Sequence, residues 1–129
     1  LIITYGRLFS FACECMERLE KQGISACILK LNTVKPIDSG AVIGAKDFKY
    51  CFFFEEGISC GGIGEHFLCK LIENDFTGKY TLTAIDDQYV EQSTVASALK
   101  KYKLDTDGME EVILKKIKCD GELCGKEKT

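Results

Sequence analysis

Short runs of apolar, largely β-branched or aromatic residues alternate along this chain with stretches whose apolar positions recur every three to four residues. Tyr50-Cys51-Phe52-Phe53-Phe54 is the extreme run, closed by Glu55-Glu56-Gly57. Successive side chains of a strand point to opposite faces, so a run without a polar residue needs cover on both. Leu1–Tyr5, Ile24–Leu31 and Tyr80–Ile85 read as the other strands. From Leu8 to Gln22, Leu8, Phe11, Ala12, Cys15, Met16 and Leu19 keep helical spacing, and Gly23 supplies the stop. Asp38 or Ser39 can cap a second helix ending near Asp47. A third is expected from Gly62 to Asn74 and a fourth from Thr94 to Tyr102. Asp107 caps a last helix with the stripe Met109, Val112, Ile113 and Ile117.

Such alternation predicts an α/β domain in three layers: a mainly parallel sheet, right-handed crossovers, and helices on both faces. One domain is expected over residues 1–118, followed by a polar, flexible tail over 119–129. A length of 129 residues suits a single core. The net charge of -3 argues against a nucleic-acid surface, which needs a basic stripe or excess. No apolar run approaches the roughly 20 residues that span a bilayer, so no membrane role is expected. Leu1-Ile2-Ile3 lacks the basic lead of a signal peptide and reads as a strand entered midway, as in a piece of a longer protein.

Eight cysteines could signal a disulfide framework, a metal site or plain thiols. Cys13, Cys15, Cys27, Cys51 and Cys69 lie within apolar segments, where Cys acts as a small hydrophobe. Cys13-x-Cys15 falls in a helix, where residues two apart diverge, and Cys119-x4-Cys124 lacks the tight spacing of common metal clusters. Reduced, mostly buried thiols in a cytoplasmic protein are expected.

Three local features invite chemistry. Gly57-Ile58-Ser59-Cys60-Gly61-Gly62-Ile63-Gly64 follows a strand and opens a helix, so its N–H groups could cradle an anion. It lacks the P-loop lysine, and Phe67 stands where a dinucleotide fingerprint needs glycine, so a tight packing turn explains it equally. His66, the sole histidine, sits on a polar helix face with no nucleophile placed beside it, and Cys60 precedes a helix N-terminus that would favour a thiolate. Glu55 and Glu56 are adjacent on a strand and point to opposite faces, so they do not share one substrate. No catalytic, cofactor-binding or metal-ligating residue is assigned.

Together, Val34-Lys35-Pro36-Ile37-Asp38, Glu55-Glu56-Gly57 with Gly61-Gly62-x-Gly64, and Ile85-Asp86-Asp87-Gln88-Tyr89-Val90-Glu91-Gln92-Ser93-Thr94 resemble the carboxy-terminal domain of the transketolase family. The first two are shared across the family. The third, with Leu104-Asp105-x-x-Gly108-Met109, is most similar to 1-deoxy-D-xylulose-5-phosphate synthases. Asn32 and Thr33 replace the usual arginine and aromatic, Asp86 a proline, Ser93 a glycine, and Gly57 a frequent asparagine. The resemblance reaches to about Lys118.

The resemblance implies a parent enzyme that condenses pyruvate with glyceraldehyde 3-phosphate using thiamine diphosphate and magnesium, an isoprenoid-precursor step. The diphosphate motif of that family, Gly-Asp-Gly followed by asparagine, does not occur here, so the cofactor is expected elsewhere in the parent. The implied role of this domain is architectural, bracing the other domains of a homodimer through Lys35, Pro36, Asp38, Glu55, Glu56, Gly61, Gly62, Gly64, Asp87 and Gln92. The alternative is the same domain of a transketolase or a 2-oxoacid dehydrogenase E1 component, acting as a partner-docking module.

Overall fold

The computed structural model describes residues 1–126, with side chains described through Gly121. Its elements are β1 (Ile2–Tyr5), α1 (Leu8–Lys21), β2 (Ile28–Leu31), α2 (Ser39–Ala45), β3 (Tyr50–Ile58), α3 (Ile63–Glu73), β4 (Lys79–Ile85), α4 (Val95–Lys101) and α5 (Thr106–Lys126). The strands form one parallel sheet in the order β2-β1-β3-β4.

The centre of the sheet follows from the residues of β3. Phe52 and Phe54 join Ile2 on one face, where α1 (Leu8, Ala12, Cys15, Leu19), Leu99 of α4 and α5 (Met109, Ile113) cover them. Cys51 and Phe53 join Ile3 on the other, under α2 (Ala41, Val42, Ala45) and α3 (Phe67, Leu71). These are the three layers expected from alternation. Charged contacts close the first face: Arg18 of α1 meets Asp107 and Glu110 of α5 at 2.5 and 3.3 Å.

Four boundaries differ from expectation. The strand expected from Ile24 begins only at Ile28 and lies at an edge, where half-exposed residues suffice. β3 runs through Glu55-Glu56-Gly57 to Ile58, because it continues to pair with β4 at Ile85 after an irregularity. The side chain that bonds the first turn of α5 is Asp105, which accepts from the Gly108 N–H at 2.8 Å; Asp107 faces Arg18 instead. Where a tail was expected from Cys119, α5 continues to Lys126. Asp120, within the expected tail, pairs with Lys79 at the start of β4 at 2.8 Å. Among the described residues, no helix is long and apolar enough to cross a membrane.

The seven described cysteines are free, while the Cys124 side chain lies outside the described residues. Cys15 and Cys51 are buried, but Cys27, Cys60, Cys69 and Cys119 are exposed, so the expectation of mostly buried thiols is corrected. Cys27 precedes β2 instead of lying inside it, and Cys69 sits on the outer side of α3. Burial pushes the Cys15 thiol up to about 12 and the Cys51 thiol up to about 11. Alkylation of the native protein, read by peptide mass spectrometry, is expected to modify the four exposed thiols readily. Cys15 and Cys51 should react only after denaturation; rapid native labelling of either would contradict the packing.

Candidate functional site

Strands β1 and β3 are neighbours, yet the chain leaves β1 toward β2 and leaves β3 toward β4. Connections diverging in this way open a crevice at the carboxyl ends of the two strands, where open α/β sheets place their working loops. Tyr5 ends β1 and Arg7 follows it into this region, and Glu55 and Glu56 lie toward the end of β3.

The pleat sends the two glutamates apart, as expected. Glu56 turns outward and meets Arg7, whose Nε lies 3.0 and 2.9 Å from its two carboxylate oxygens. Glu55 turns inward and is 1% exposed. Its Oε2 accepts from the Gly64 N–H at 3.1 Å and from the Tyr5 hydroxyl at 3.3 Å. Its Oε1 is buried without a hydrogen-bond partner among the described residues. Burial raises the Glu55 carboxyl above its ordinary range, opposed by the Gly64 N–H, the Tyr5 hydroxyl and the Ile63 N–H. The Tyr5 hydroxyl is pushed up to about 12 by burial and by the neighbouring Glu55 charge.

This arrangement explains the glycine-rich loop. The N-terminus of α3 is a favourable place for a negative charge, and the protein supplies its own. Glu55 takes the Gly64 N–H, and Glu65, one turn into α3, reaches back to the Gly61 N–H at 2.6 Å. A Cβ at Gly62 would lie 2.1 Å from Glu55 Oε1 and 2.5 Å from the Ile58 carbonyl. One at Gly64 would lie 2.3 Å from Leu82 Cδ1 and 3.0 Å from the Phe53 ring. The Gly64 carbonyl also accepts from the Tyr80 hydroxyl at 2.6 Å. Gly61 has φ +74°, a conformation that disfavours other residues. Close packing of α3 against the sheet therefore accounts for Gly62 and Gly64, and the N–H groups of Gly61 and Gly64 that could have cradled an external anion already have carboxylate partners.

The other predicted positions are spread along the same edge. Lys35 and Pro36 are exposed in the connection after β2, beside a Val34–Ile37 bridge, and Asp38 caps α2 by accepting from the Gly40 N–H at 2.9 Å. Asp87 and Gln92 are exposed in the connection after β4. Gln92 lines a half-open hollow of about 250 Å³ with Arg7, Glu56, Ile85, Leu99 and Leu104. Tyr5, Arg7 and Tyr80 were missed from sequence, since only the β1–β3 and β3–β4 pairings bring them to Glu55, Glu56 and Gly64. His66 and Cys60 are exposed, and no described group of three or more His, Cys, Asp or Glu side chains could hold a metal.

The Transketolase, C-terminal domain family model matches residues 1–109. The 1-deoxy-D-xylulose-5-phosphate synthase of Clostridium botulinum (strain Eklund 17B / Type B) is 33% identical over 115 residues, 88% of this chain and 19% of that protein. The synthase of Clostridium beijerinckii is 30% identical over the same shares of each chain. A solved structure described as "Split gene transketolase, inactive beta4 tetramer" matches in fold with a TM-score of 0.77 at 24% identity, over 88% of this chain and 37% of that one. The chain thus spans about a fifth of the length of these curated relatives.

Two sets of substitutions test the geometry. Gly64→Ala is expected to cost ~1–3 kcal/mol through overpacking, whereas Gly57→Ala, whose Cβ would meet nothing nearer than 3.8 Å, should be nearly neutral in urea unfolding. Because the folded-state carboxyl of Glu55 is raised, its contribution to stability is complete below the unfolded-state value and is lost as pH rises through the folded one. The stability of Glu55→Gln relative to the parent should therefore improve from acid to neutral pH. A difference independent of pH would contradict the raised carboxyl.

Proposed function

The chain belongs to the transketolase carboxy-terminal domain family, and we propose that it is the structural, interface-forming domain of a thiamine diphosphate-dependent transferase resembling 1-deoxy-D-xylulose-5-phosphate synthase. The parent would join pyruvate to glyceraldehyde 3-phosphate with loss of carbon dioxide, supplying an isoprenoid precursor. Thiamine diphosphate would provide the carbanion chemistry there. The residues of this chain do not suit that cofactor: the helix N-terminus best placed for a diphosphate is capped by Glu55 and Glu65, and the described residues offer no magnesium cluster. Cofactor and metal are therefore assigned to other domains of the parent.

The observation that carries the reading is the convergence of all three family-like connections on one edge of the sheet. Residues 33–38 and 86–94 follow the carboxyl ends of β2 and β4, and residues 55–64 span the last residues of β3 and the loop after it. Ile58, Val90, Val95 and Tyr89, at this edge, are apolar or aromatic side chains left 47, 48, 51 and 102% exposed. Apolar groups gathered beside a polar rim are the usual anatomy of a surface covered by a partner. The partners proposed are the catalytic domains and the second subunit of a homodimer.

Glu56→Ala and Asp87→Ala separate bracing from local folding. Each should change the unfolding free energy of the 129-residue chain by less than ~1 kcal/mol, since both side chains are on the surface. In the parent enzyme the same changes should lower activity or dimer stability. Equal defects in chain and parent would contradict an interface role. Calorimetric titration of the chain with thiamine diphosphate and magnesium should show no stoichiometric micromolar binding.

A further inference from the structure

We propose that Tyr89 is the anchor by which the β4–α4 connection docks onto another domain of the enzyme assembly, entering an apolar slot rimmed by basic side chains. The inference rests on the interface reading above and names the contact within it. Residues 86–97 are all exposed, and between Asp86 and Thr94 there is no helix or strand. The Tyr89 ring stands fully clear of its own domain at 102% exposure. Holding a segment in one conformation costs roughly 1–2 kcal/mol per residue in backbone entropy, and the contacts of this segment with its own domain are sparse. Buried tyrosines, with large rigid rings and one polar end, commonly dominate binding at protein interfaces.

Charge selects the partner. Asp86 and Asp87 precede Tyr89 and Glu91 follows it. Among the described residues neither aspartate has an ion-pair partner, and Glu91 has only Lys101 at 3.6 Å, with both side chains exposed. A second copy meeting this patch through a twofold axis would set those carboxylates against themselves, which is unfavourable. A basic face satisfies all three. The hollow beside the segment gives such a face a second point of entry. Its apolar lining includes Val95, Leu99 and Leu104, Glu56 and Glu91 stand in its wall, and it is lined in part by Tyr102, whose hydroxyl lacks a partner among the described residues. Arg7 already holds Glu56, so a long basic side chain would lay its aliphatic stem on the leucines and bring its charged head to Glu91 and the Tyr102 hydroxyl.

Hydroxyl-radical footprinting of the intact parent enzyme, corrected for intrinsic reactivity, tests the contact. Tyr89 should oxidise at least about tenfold more slowly than a free tyrosine, while Ile43 and Ile72, 55 and 63% exposed on α2 and α3, remain reactive controls. Tyr89→Ser should weaken subunit or domain association by at least about tenfold, with Tyr89→Phe retaining most of it and rising salt weakening it further. Full reactivity of Tyr89 with residues 55–64 protected would overturn the anchor and leave the interface reading standing. Full reactivity at both would overturn both. Cross-links joining Tyr89 to the same segment of a second copy would show the wrong partner and overturn the basic slot.

Discussion

Phe52 and Phe54 point to one side of β3 while Cys51 and Phe53 point to the other, and all four are at most 3% exposed. Burying a phenylalanine contributes roughly 1.5–3 kcal/mol, so neither face of this strand can be left to water. That double demand places α1, α4 and α5 on one side of the sheet and α2 and α3 on the other. It also seats β3 between β1 and β4, where both edges of its backbone are hydrogen-bonded.

The same strand carries the core into the site. Beyond Phe54 the pleat delivers Glu55 to the interior, where an isolated carboxylate would be costly. The N-terminus of α3 and the Tyr5 hydroxyl offset part of that cost, and they require the helix to approach closely. Gly62 and Gly64 permit the approach, and Tyr80 ties the Gly64 carbonyl to β4. A rigid platform results at the carboxyl ends of β1, β3 and β4, from which the connection to α4 projects without cover of its own. The proposed interface role would use this division between a fixed platform and an exposed contact segment.

Polar contacts at the periphery act differently. The Arg18 cluster joins α1 to α5, and Lys79–Asp120 joins β4 to the distal part of α5. Arg18 lies at the surface, where ion pairs contribute little, so its cluster sets the direction in which α5 lies more than the strength with which it is held. The stripe Met109, Val112, Ile113 and Ile117 supplies the apolar contact.

Periodicity alone determined the element order, the parallel three-layer class and the faces of α1 and α5, because burial imposes a period of two on strands and 3.6 on helices. The resemblance carried by residues 34–38, 55–64 and 85–94 also identified the family from sequence. Hydrophobic pattern did not reveal that β3 continues through Glu55-Glu56-Gly57, since two carboxylates and a glycine read as a strand end until β4 supplies hydrogen bonds. It could not choose between an anion cradle and a packing turn at Gly61–Gly64. Only the tertiary fold decided that, by bringing a carboxylate from β3 and side chains from β1 and β4 against one helix N-terminus. Tyr5 is 50 positions from Glu55, whose Oε2 it shares with the Gly64 N–H. Contacts across such separations depend on which strands pair, and pairing leaves no local periodic trace.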